Sequence, residues 1–144
     1  MNLPTFLDLS AALTGFSLFD LRATGVAEQY LDRVIAELGQ PGQAQLPALE
    51  REWAAIAGAS DTDRQAGIDR MFASATLGEA VRAVTLLWYT GAWYRDNRYN
   101  YSTVSGETYV KGLMWKAIQA HPMAAEPQGF GAWSLPPPRF GADT

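Results

Sequence analysis

Eight of the eleven Trp and Tyr residues fall between positions 88 and 115: Trp88, Tyr89, Trp93, Tyr94, Tyr99, Tyr101, Tyr109 and Trp115. Four of them, Trp93, Tyr94, Tyr99 and Tyr101, are interleaved with Arg95, Asp96, Asn97, Arg98 and Asn100. Flat amphipathic rings beside Arg and Asn are what interface patches contain, because the rings bury much area while keeping a polar edge. An extended loop of this composition could hold a protein partner or stack on a sugar. Trp88, Tyr89 and Tyr109 lie at helical spacing, and core packing explains them as well as a binding role does. The loop has no Lys, and the chain sets 15 acidic against 11 basic side chains for a net charge of −4. That sign speaks against single-stranded nucleic acid, which needs a basic groove around its stacking rings.

The remaining catalytic inventory is sparse. With no cysteine and one histidine, His121, the sequence excludes disulfides, thiol nucleophiles, iron–sulfur ligation, c-type haem attachment and Cys/His zinc sites. His121 precedes a proline just past a helix, where an imidazolium would favour the negative helix end, and no Ser or Asp is tied to it by a motif. Asp61-Thr62-Asp63 opens like a calcium loop but continues with Ala66 where glycine is needed and Phe72 where a bidentate glutamate is needed. Helix capping explains both acids. Phosphate-binding loops, dinucleotide fingerprints and nucleophile elbows are missing, so the glycines serve as helix stops. Asn100-Tyr101-Ser102 fits a glycosylation sequon, a pattern common by chance. No catalytic, cofactor or metal residue is assigned.

At 144 residues, 48% of them hydrophobic and 18% charged, the chain suits one globular domain. No uncharged run is longer than AVTLLWYTGAWY between Arg82 and Arg95, which is well short of the roughly 20 residues that span a bilayer. Short amphipathic segments separated by Gly, Pro and Asp–Thr punctuation predict an all-α class, with no alternating run that would make a strand. Helices are expected over Thr5 to Thr14 before Gly15, after an N-cap at Thr24, and over Pro47 to Ala57 before Gly58. Asp61 is expected to cap a helix carrying Ile68, Met71 and Phe72, and Thr76 with Glu79 has capping-box spacing. From Leu77 to Tyr89 the sequence is apolar almost all round, which predicts the central buried helix. Ser105 is expected to open the last helix, with Tyr109, Val110, Leu113, Met114, Ala117 and Ile118 on its core face and Trp115 turned outward.

The pattern therefore predicts a compact bundle of about six short helices over residues 1–120, followed by an extended tail over 121–144. Five of the eight prolines fall in those last 24 residues, with Gly129, Gly131 and Gly141, which leaves little room for helix or sheet. Phe130, Trp133, Leu135 and Phe140 are costly in a tail that needs only to be solvated, so the tail is expected to dock on a partner. The expected partner-binding set is Trp93, Tyr94, Tyr99, Tyr101, Trp115, Phe130, Trp133, Leu135 and Phe140.

Four stretches carry a resemblance to a known family. They are Leu9-Ser10-Ala11-Ala12-Leu13-Thr14-Gly15, Leu87-Trp88-Tyr89-Thr90-Gly91, Tyr109-Val110-Lys111-Gly112-Leu113-Met114-Trp115, and Gly129-Phe130-Gly131-Ala132-Trp133. In order and spacing the chain resembles the small subunit of bacterial FAD-dependent sugar dehydrogenase complexes, which include sorbitol, fructose, gluconate and glucose dehydrogenases. The resemblance implies a helical, non-catalytic subunit that binds a large flavoprotein of the glucose–methanol–choline type and helps it fold and reach the periplasm. It implies that the FAD, and often an iron–sulfur cluster, belong to the large subunit, and that a cytochrome c subunit can complete the complex. Members of that family typically begin with a twin-arginine export signal, whereas here the first motif starts within ten residues of Met1. The expected location is the periplasm where such a signal has been removed, and the cytoplasm otherwise. A free-standing helical sugar- or peptide-binding module using the 88–115 aromatics is the alternative from another class.

Overall fold

The computed structural model describes residues 1–95, 100–122 and Ser134. Its first helix, α1 (Leu3–Thr14), starts where Asn2 Oδ1 accepts the Thr5 N–H at 2.9 Å, and it ends at Gly15 with φ 75°. A short α2 (Leu18–Ala23) follows, where the sequence pattern predicts no helix. Ser17 explains it: its hydroxyl accepts the Asp20 N–H at 3.1 Å and donates to Asp20 Oδ2 at 2.7 Å. Helix α3 (Ala27–Leu38) corrects the expected cap, because Val26 occupies the N-cap position. Thr24 instead closes α2, donating to Leu21 O at 2.7 Å while accepting the Val26 N–H at 3.3 Å.

Helix α4 (Gln45–Ile56) carries Pro47 in its first turn, as expected, and buries Leu46, Leu49 and Trp53. In α5 (Asp61–Ala73) the cap is Ser60 rather than Asp61, and Ser60 Oγ accepts the Asp63 N–H at 3.2 Å. Asp61 and Asp63 sit in the first turn, where the positive helix end favours acids. The expected Thr76/Glu79 box does not form. Ser74 Oγ takes the N–H groups of Thr76 and Leu77 first, and α6 (Gly78–Thr90) begins two residues later with Leu77 as its N-cap.

Helix α6 is the central buried helix. Its Val81, Val84, Leu87 and Trp88 are fully enclosed. Phe6 of α1 stacks on Trp88 at 5.9 Å, and Tyr30 of α3 meets the same ring edge-on at 4.8 Å. Burial pushes the Tyr30 phenol well above its ordinary range, so it stays a neutral donor, 3.3 Å from Thr108 O.

Beyond α6 the chain makes an antiparallel pair, β1 (Ala92–Arg95) and β2 (Asn100–Thr103), with Ala92 opposite Thr103 and Arg95 opposite Asn100. This corrects the expectation of an aromatic loop without strands. Four-residue strands are too short for alternation to stand out, although Trp, Tyr and Thr favour pleated backbone. The single helix expected from Ser105 is two, α7 (Gly106–Val110) and α8 (Leu113–Ala117), broken at Gly112. A Cβ at Gly112 would lie 2.7 Å from Tyr89 O, so the break lets the chain pass close over the end of α6. Ser105 does cap α7, in a reciprocal box with Thr108. After the break Leu113 remains fully buried, whereas Ala117 is exposed and Ile118 is 64% exposed; neither joins the core face predicted for them. His121 and Pro122 are buried. The fold is all-α in class, a bundle of eight helices among the described residues with one small hairpin.

Candidate partner-binding surface

The β1–β2 hairpin projects from the C-terminal end of α6 and is braced by one side of α3. Gly91, with φ 72°, turns the chain, and its carbonyl accepts the Val104 N–H at 3.0 Å and the Thr108 hydroxyl at 3.1 Å. From α3, Arg33 donates to Ser102 Oγ and pairs with Glu37 at 2.8 Å. Glu37 in turn receives Arg95 through Nη2 at 2.5 Å and Nε at 3.2 Å. One turn earlier, Gln29 donates to Glu107 at 2.9 Å and accepts the Ser105 hydroxyl at 2.9 Å. The hairpin is thus held by its own turn and by α3.

Directly opposite residues share a sheet face, so the register sorts the side chains. Trp93, Arg95, Asn100 and Ser102 share the face that Arg33 and Glu37 reach. Tyr94 and Tyr101 share the other, and their rings stack with centroids 5.3 Å apart at 24°. Tyr101 is 57% exposed and Tyr94 half-buried. Trp93, expected at the interface, is only 3% exposed and belongs to the core, because alternation turns it inward between its neighbours. Trp115 does not stand outward either. It is half-buried, meets Tyr109 edge-on at 5.5 Å and donates its indole N–H to Tyr109 O at 2.9 Å, an arrangement the Gly112 break permits. Tyr99, Phe130, Trp133, Leu135 and Phe140 lie outside the described residues.

Two exposed apolar residues were not anticipated, Phe19 at 71% and Ile118 at 64%. The ion pair of Asp20 with Lys116 links their elements, and Lys116 Nζ also lies 5.5 Å from the Phe16 ring centre. Hydrogen bonds from Lys116 and then Ser17 hold the Asp20 carboxyl below its ordinary value. The signal for Phe19 was Leu18-Phe19-Asp20-Leu21, where a helix that buries Leu21 must turn Phe19 away.

Beside β1 runs an open cleft of about 380 Å³, walled by α6 and by the segment joining α3 to α4, with Glu79, Arg82, Gln43 and Gln45 at its rim. No cluster of three or more His, Asp or Glu that could hold a metal ion occurs among the described residues, and no described helix is long and apolar enough to cross a membrane. Comparison with protein-family profiles, characterised proteins and solved structures returns no match.

The three described stretches behind the family resemblance meet at one end of α6. Tyr89 of the second donates its hydroxyl to Thr14 O of the first at 3.0 Å. Gly112 of the third lies against the Tyr89 carbonyl. The Gly129–Trp133 stretch is outside the described residues.

Proposed function

We propose that the chain is the non-catalytic small subunit of an FAD-dependent sugar or polyol dehydrogenase complex. In this reading it binds and stabilises the large flavoprotein subunit, assists its folding or export to the periplasm, and leaves FAD and any iron–sulfur cluster to that partner. The observation that carries the binding role is the stacked Tyr94–Tyr101 pair, presented outward on a hairpin that α3 braces by hydrogen bonds and ion pairs. Rigid aromatic anchors lose little conformational freedom on docking, which is the usual source of affinity at the centre of an interface. The exposed Phe19 and Ile118 supply further apolar contact area. The family assignment rests on the resemblance, three of whose stretches form one contiguous region at the end of α6.

The test is co-expression with a flavoprotein dehydrogenase of the glucose–methanol–choline type from the same source. The flavoprotein should be less soluble, less flavinated and less active without the chain; equal yield and activity in its absence would remove the proposal. The cleft beside β1 favours the second reading, a free-standing sugar- or peptide-binding module. In that case the isolated chain is a stable monomer whose tryptophan fluorescence shifts on titration with saccharide or peptide.

A further inference from the structure

We draw no further inference here: the strongest candidate, the exposed apolar patch of Phe19 in α2 and Ile118 at the end of α8, which flank the Asp20–Lys116 ion pair, is an unpartnered surface, and nothing among the described residues shows what covers it.

Discussion

Arg95 grips the Glu37 carboxylate through two guanidinium nitrogens, tying the first strand of the hairpin to the last turn of α3 across 58 positions of sequence. Because Arg33 shares that carboxylate, the three side chains act as one clasp rather than as isolated surface pairs. Glu37→Gln leaves two guanidinium groups facing a neutral amide and should cost about 1 kcal/mol of stability, a loss that shrinks at high salt. Urea denaturation at low and high ionic strength checks both statements. The stacked tyrosines report locally: their ring resonances should broaden or shift in the variant.

Gly91 and Gly15 share left-handed backbone but not surroundings. A Cβ at Gly15 meets nothing within 4 Å, so Gly15→Ala should cost only the conformational penalty of about 1 kcal/mol. At Gly91 it would lie 2.4 Å from Thr108 O, and Gly91→Ala should cost about 3 kcal/mol because α7 must also shift. Thermal unfolding of the two variants side by side checks the ordering; equal losses would show that the hairpin turn absorbs the methyl freely.

The Asp20–Lys116 pair predicts a pH dependence. The folded-state pKa of Asp20 is lowered from an ordinary value of 3.8, so its contribution is fully present above that value and is lost as pH falls below it through the folded pKa. Asp20→Asn should therefore be less stable than the parent at pH 7 and should approach it in strongly acidic buffer. Urea midpoints of both proteins from pH 7 down to pH 2.5 would show the gap closing; a constant gap would mean the pair contributes no pH-dependent stability.

Trp115 and Tyr101 should separate folding from binding. Trp115→Ala removes a ring and an indole N–H that hold α7 against α8, and should cost about 2 kcal/mol of stability. Tyr101→Ala removes a largely exposed ring and should change stability by less than about 0.5 kcal/mol while weakening partner association by about 2 kcal/mol. Calorimetry on the isolated chains and a titration with the proposed flavoprotein partner give the two readouts.

The bundle was legible because most of its helices are marked by residues that act locally. Gly15 and Gly91 stop α1 and α6 by accepting positive φ, Pro47 marks the first turn of α4, and the all-round apolar character of Leu77 to Tyr89 announces the central helix. Local marks also misled where two residues competed for one role. Ser60 took the Asp63 N–H that Asp61 was expected to take, and Ser74 bound the N–H groups of Thr76 and Leu77 ahead of the helix that Thr76 was expected to cap; nothing in composition ranks those pairs. The hairpin was hidden by its brevity. Without strands there was no alternation to apply, so Trp93 and Tyr94 looked equivalent, although one belongs to the core and the other to the outer face. Phe19 went unnoticed because α2 owes its existence to a single serine cap.

The polar side of α3 reaches the hairpin and α7 across very long stretches of chain. Gln29 meets Glu107, Tyr30 meets Thr108 and Arg33 meets Ser102 over 78, 78 and 69 positions. Closing such long loops is entropically slow, so these bonds form after the local helices and depend on them. A chain growing from its N-terminus completes α3 long before Ser102 or Glu107 has been made, and its Gln29–Glu37 side waits in water. A segment made late is then the one that locks the first half in place. Hydrogen exchange during refolding would find the amides of α1 and α6 protected early and those of β1 and β2 in the slowest phase.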